Sequence, residues 1–218
     1  MAANLITVGR IILAFVAVVM FQGGFGVRLA AVALTIIVVW LDSLDGYVAR
    51  KLKVASEVGA LFDITGDRIV EHIYLIFYAA MGVVSFWVPL IFVTRSFLVD
   101  TLRTVAFSKE GKTPFGDKTM MRSRITRFLT ASRFSRAVYG VTKVVVFVLL
   151  GLSLAFTQAM ADGAGWFSPS LYQVFGRVTL VLVWIMVAFN LLRGLPVLYD
   201  GRTYLFDKYL PRQLKRDA

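Results

Sequence analysis

The sequence predicts an all-α, polytopic membrane protein with six transmembrane helices, on three observations. Of its 218 residues 58% are hydrophobic and only 17% charged, with a mean hydropathy of +0.75. That balance leaves a water-soluble chain of this length too little polar surface. The apolar residues gather into windows long enough to cross about 30 Å of hydrocarbon as helices. The Lys and Arg residues behind the net charge of +11 cluster between those windows.

The windows run roughly over 5–22, 28–50, 58–82, 85–107, 135–158 and 174–198. The first opens at Asn4-Leu5-Ile6-Thr7, where Asn4 or Thr7 can cap a helix, and closes at Gly23-Gly24. No small-residue cleavage site follows it, so it reads as a retained helix and not a signal peptide. The second and third windows carry acidic residues at their facing ends, joined by a short basic link from Arg50 to Ser56. The fourth holds Arg95, Asp100 and Arg103, and the fifth holds Lys143. Polar residues at such depth need a protein interior or a water-filled cavity to face. Between the fourth and fifth windows, residues 108–135 are too polar to span. They suit an amphipathic helix on the membrane surface, with Met120, Met121, Ile125, Phe128 and Leu129 towards lipid. A polar tail follows from about residue 199 to 218, and the whole chain reads as one membrane domain over 1–218.

Charge sets the expected orientation. Arg50, Lys51 and Lys53 follow the second window, eight Lys and Arg residues lie between Lys109 and Arg136, and five lie in the tail. The turns at 22–27, 82–86 and 159–173 contain none. The positive-inside rule then puts both termini and the acidic cluster in the cytoplasm, and a bacterial inner membrane is the expected location. The basic residues serve orientation and contact with anionic membrane lipids; no nucleic-acid-binding motif accompanies them, so no nucleic-acid partner is expected. With no Cys and only His72 for imidazole, a zinc or soft-metal site has almost no ligands.

The chemistry concentrates between Asp42 and Asp67. Asp42 and Asp45 are three residues apart and Asp63 and Asp67 four apart, so on helices each pair shares one face. A short link makes the two helices antiparallel and brings both faces to one membrane edge. Four carboxylates in so small a volume repel one another unless neutralised, and hard divalent cations with oxygen ligands are the natural remedy. A structural alternative is a set of buried ion pairs with Arg50, Arg68 and Arg95. Gly46 and Gly59 remove side chains where a nucleotide or a neighbouring helix must approach, and Arg50 can bind a phosphate oxygen through its fork of donors.

Written out, Asp42, Asp45, Gly46, Ala49, Arg50, Gly59, Asp63 and Asp67 form D-x2-D-G-x2-A-R-x8-G-x3-D-x3-D. This resembles the signature of the CDP-alcohol phosphatidyltransferases, membrane enzymes that move a phosphatidyl group from CDP-diacylglycerol to an alcohol with release of CMP. The resemblance implies their six-helix fold, a homodimer and two divalent ions, Mg²⁺ or Mn²⁺. It implies that Asp42, Asp45 and Asp63 ligate metal, and that Asp67 both touches a metal and serves as general base. It maps a donor-binding hydroxyl to Ser56, and the family's N-terminal N-x-x-T-x-x-R pattern to Asn4, Thr7 and Arg10.

For the acceptor, the stretch from Arg95 to Arg103, RSFLVDTLR, resembles a segment of the phosphatidylglycerophosphate synthase branch of that family. Arg95, Arg103 and Lys143 are then the expected ligands of the phosphate of glycerol 3-phosphate. Asp100, three residues before Arg103, is a competing partner for that arginine. Ser96 stands where that branch has Glu, and Ile64-Thr65-Gly66 where it has P-x-A. Inositol phosphate, inositol or serine stay open as acceptors. Outside the class stands a carboxylate-dependent transporter, although the repeated halves and broken helices typical of one are not evident in this sequence.

Overall fold

A computed structural model describes residues 2–51, 57–110, 121, 123–163 and 168–206. Among them are seven helices and no strand: α1 (Ala2–Met20), α2 (Phe25–Lys51), α3 (Glu57–Ala80), α4 (Trp87–Glu110), α5 (Arg124–Ala131), α6 (Arg133–Ala161) and α7 (Pro169–Phe206). Six of them coincide with the six apolar windows, and α5 falls inside the polar segment expected to form a surface helix.

Among the described residues, two helical stretches are by length and composition long and apolar enough to cross a membrane, Phe134–Ala161 and Pro169–Arg202; Asn4–Met20 and Phe25–Leu41 are shorter apolar stretches. Helices α3 and α4 miss that standard for a physical reason. Asp63, Asp67, Arg68 and Glu71 lie within a few turns on α3, as do Arg95, Asp100 and Arg103 on α4.

Contacts group the chain into two compact units. The first comprises Met1–Phe92 and Val141–Val187. In it α1 packs against both α2 and α3, with Ala14, Ala17 and Ala31 in the core, where small side chains let helices approach closely. Phe21 stacks on Phe77 at 5.7 Å and meets the edge of Tyr78 at 5.9 Å, while Phe147 of α6 lies 5.4 Å from Tyr74. The Tyr78 hydroxyl donates to the Phe147 carbonyl at 3.0 Å, so a buried phenol is satisfied inside the helical core. Arg28, at the start of α2, donates to the Gly23 carbonyl at 2.8 Å and the Leu154 carbonyl at 2.7 Å, tying the α1–α2 turn to α6.

The second unit comprises Val93–Gly140 and Ala188–Ala218. Its apolar core joins Val99, Ala106, Met121 and Val197. Arg193 donates to the Ser135 hydroxyl at 2.7 Å and to the Thr130 carbonyl at 3.3 Å. Its guanidinium also sits over the Tyr139 ring at 5.2 Å. The Tyr139 hydroxyl donates to Asn190 Oδ1 at 3.0 Å, and the Thr126 hydroxyl donates to Asp200 Oδ2 at 2.9 Å.

Two sequence expectations change here. Met121, assigned to the lipid-facing side of the surface segment, is only 6% exposed and belongs to the core with Val99, Ala106 and Val197. Phe128 is exposed as expected and Leu129 half-buried, while Met120 and the Ile125 side chain lie outside the described residues. The helical stripe identified α5 as amphipathic, but a methionine just ahead of it, at its N-terminal side, is free to fold back into the unit. The first residues of the segment expected as a polar tail, 199–206, are helical. Helix α7 continues to Phe206 because Asp200 is buried and held by Thr126, which gives the turn beyond residue 198 a tertiary anchor.

Candidate active site

The α3 carboxylates Asp63 and Asp67 lie one turn apart and about two-fifths exposed, at 42% and 39%. Facing them is Arg10 of α1, a guanidinium only 2% exposed whose Nη2 lies 2.7 Å from Asp67 Oδ1 and 3.7 Å from Asp63 Oδ1. The shorter contact is a hydrogen-bonded ion pair; the longer one is an ion pair without a hydrogen bond. Burying an arginine costs several kcal/mol unless its charge is met, and two carboxylates meet it here.

Helices α1 and α3 can come this close because residue 66 is glycine. A Cβ there would collide with Thr7 Cγ2 and come within 3.4 Å of Arg10 Nη2. Thr7 is therefore buried against the α3 backbone between the two aspartates, and Asn4, a turn earlier on α1, is half-buried. Gly59 of α3 is half-buried as well.

One turn beyond Asp67, Glu71 is 2% exposed and takes two cations on separate oxygens. Arg68 Nη1 lies 2.8 Å from its Oε2, and Lys143 Nζ of α6 lies 3.3 Å from its Oε1. From Asp63 through Asp67, Glu71 and Tyr74 to Tyr78, α3 thus presents a stripe that meets α1 at Asp67 and α6 at Glu71, Tyr74 and Tyr78, with Phe21, just beyond α1, also against Tyr78.

The remaining expected residues divide as follows. Asp42, Asp45, Gly46 and Arg50 lie on α2 with side chains outside the described residues, and Ser56 lies outside them altogether. Arg95 and Arg103 belong to the second unit and Lys143 to the first. Arg95 is buried against Gly194, where a Cβ would come 2.6 Å from Arg95 Nε. Arg103 Nη1 lies 3.8 Å from Asp100 Oδ1, the neighbour its spacing suggested.

Among the described residues Arg68 pairs with Glu71, and Arg10 meets Asp63 and Asp67; Arg50, Asp42 and Asp45 have side chains outside them. The signal was available in Thr7-x-x-Arg10, which puts both residues on one face of α1. The importance of Glu71 was legible only as a carboxylate four residues after Asp67.

Chemically, the α3 face offers hard oxygen donors and no soft ligand, a set suited to Mg²⁺ or Mn²⁺. Among the described residues no group of three or more His, Asp or Glu side chains stands together; the other two expected ligands, Asp42 and Asp45, lie outside those whose side chains are described.

Comparison with known proteins adds an independent line. The family model for CDP-alcohol phosphatidyltransferase matches residues 1–192. The CDP-diacylglycerol–glycerol-3-phosphate 3-phosphatidyltransferase of Mycoplasma genitalium is 35% identical over 69 residues, 32% of this chain and 29% of the relative. The Mycoplasma pneumoniae protein of the same name is 38% identical over 69 residues, 32% of this chain and 30% of its own. That of Bacillus subtilis is 32% identical over 78 residues, 36% of this chain and 40% of its own. The matched stretches thus span well under half the length of these curated relatives.

Proposed function

Because this chain belongs to the CDP-alcohol phosphatidyltransferase family, we propose that it is an integral membrane enzyme that transfers the phosphatidyl group of CDP-diacylglycerol to glycerol 3-phosphate. The products are CMP and phosphatidylglycerol phosphate, a step of phospholipid biosynthesis. The observation that carries this reading is the α1–α3 crossing: two half-exposed carboxylates one turn apart, held by a buried arginine. Three relatives named for glycerol 3-phosphate support the acceptor.

Asp63 and Asp67, together with Asp42 and Asp45 of the same sequence signature, would hold two Mg²⁺ or Mn²⁺ ions. When bound, these supply positive charge to the donor's pyrophosphate as the leaving group departs. Arg10 engages Asp67 Oδ1 and so limits the rotamers of that carboxylate. Asp67 then takes the proton of the acceptor hydroxyl as its oxygen bonds to the β-phosphorus. The phosphorus–oxygen bond to CMP breaks with its electron pair going to CMP, and no covalent enzyme intermediate is required. Asn4, Thr7, Gly46, Arg50, Ser56 and Gly59 receive the CDP-diacylglycerol. Lys143, which shares a unit with the α3 carboxylates, receives the acceptor phosphate; Arg95 and Arg103 stay as ligands expected from the sequence.

The proposal extends to a homodimer with six spans in a bacterial inner membrane, both termini and the carboxylate face being cytoplasmic. Support comes from the basic loops, which all lie on one side of the apolar windows.

The test is CMP release by the purified protein in detergent, with CDP-diacylglycerol and Mg²⁺ or Mn²⁺, against glycerol 3-phosphate, inositol, inositol phosphate and serine. Release with glycerol 3-phosphate alone supports the full reading. Release with another acceptor keeps the reaction class and removes this acceptor. No release with any of them points to an acceptor outside this panel, and then to the transporter, which solute flux into vesicles without CDP-lipid would reveal.

A further inference from the structure

Glu71 is a carboxylate the reaction above does not use. It is 2% exposed and lies on α3 one turn beyond Asp67, about 6 Å further along the helix axis. A buried carboxylate must be paired and hydrogen-bonded to be tolerated. Arg68, three residues earlier on the same helix, already does this at 2.8 Å through Oε2. Yet the other oxygen, Oε1, takes Lys143 Nζ at 3.3 Å, from a helix 72 residues away in sequence. The local pair answers the needs of Glu71; the second contact fixes Lys143. Lysine has a flexible four-carbon stem that costs side-chain entropy to localise, so a buried anchor on its ammonium decides where that charge stands. The Lys143 side chain is 24% exposed, so solvent and a small anion can reach it.

We propose that Glu71 is a positioning residue, which anchors the Lys143 ammonium one helical turn from Asp67 so that the phosphate of the acceptor is received there. This rests on the reading of the chain as a phosphatidyltransferase with a phosphorylated acceptor. Asp67 must stand at the acceptor hydroxyl, and the phosphate of glycerol 3-phosphate is only a few bonds from that hydroxyl. A cation held one turn along the same helix matches that span. Glu71 touches neither substrate nor reacting atoms; it acts through Lys143.

Two measurements test it. In steady-state assays Glu71→Gln, which keeps the shape and removes the charge, should raise the KM for glycerol 3-phosphate about tenfold or more, with the KM for CDP-diacylglycerol changed less than about twofold. Equal changes in both, or none in a variant of wild-type thermal stability, would make Glu71 a structural counter-ion and overturn the proposal. Independently of turnover, Lys143 can be labelled with an amine-acylating reagent and followed by mass spectrometry. Millimolar glycerol 3-phosphate should slow labelling of Lys143 in the wild-type protein, and this protection should vanish in Glu71→Gln; inorganic phosphate, run in parallel, separates recognition of the phosphate from recognition of glycerol. Absence of protection by either in the wild type, or unchanged protection in the variant, overturns the proposal. If Glu71→Gln does not fold, Glu71→Asp carries the same test, since a shorter carboxylate cannot hold the ammonium in the same place. Failure of the phosphatidyltransferase reading would show separately, as wild-type protein that releases no CMP with any acceptor.

Discussion

Arg10 and Asp67, 57 residues apart in sequence, form a 2.7 Å hydrogen-bonded ion pair at the crossing of α1 and α3. The arginine is almost fully buried while the aspartate is not, so the pair joins the packed interior to a carboxylate that solvent can reach. Removing the guanidinium by Arg10→Met should leave Asp63 and Asp67 facing each other without their shared cation. Discounted for the exposure of the two carboxylates, the expected destabilisation is about 1–3 kcal/mol. Thermal unfolding in detergent would read it. Arg10→Lys should recover part of the loss, because the charge remains while the planar fork is gone; a fully stable Arg10→Met protein would mean the pair is incidental.

Asp67→Asn should lower kcat by a factor of about 10²–10⁴, the range expected when a positioned general base is lost. Binding of CDP-diacylglycerol in the presence of Mg²⁺ should persist in part, as Asp63 is retained. Full turnover by this variant would remove Asp67 from the base role.

Gly66→Ala should clash with the Thr7 methyl group and cost about 1–3 kcal/mol by overpacking. Thr7→Ser deletes the methyl carbon concerned, so the double variant should be more stable than Gly66→Ala alone. A double-mutant cycle by thermal unfolding measures that coupling. Additive effects would mean that α1 and α3 do not meet at this point in solution.

Arg103→Ala should raise the KM for glycerol 3-phosphate well above any change in that for CDP-diacylglycerol if this arginine receives the acceptor phosphate. The alternative is its 3.8 Å pairing with Asp100, in which case both constants should stay near wild type and only a small stability change, about 1 kcal/mol or less, should appear.

Chelation by EDTA should abolish CMP release, and either Mg²⁺ or Mn²⁺ should restore it, as hard oxygen ligands serve both ions. Activity that survives exhaustive chelation would count against the assignment of the aspartates as metal ligands.

Periodicity and composition were enough to set the all-helical class, the places of seven helical segments and the grouping of polar residues on shared faces. Helical periodicity is a local property: Asp63 and Asp67, or Thr7 and Arg10, share a face wherever the helix goes. Which face meets which was decided by tertiary structure. By charge alone several arginines could face Asp63 and Asp67; Arg10 reaches both because Gly66 lets α1 approach α3. Glu71 stands four residues after Asp67 in sequence, and only the packing of α6 brings Lys143 to it. Met121 and Asp200, read as surface and tail, are buried by α4, α5 and α7. Charge and spacing state what a residue can do. Its partner is chosen by the few ångströms of backbone approach that glycines and alanines permit, which depend on residues far away in the chain.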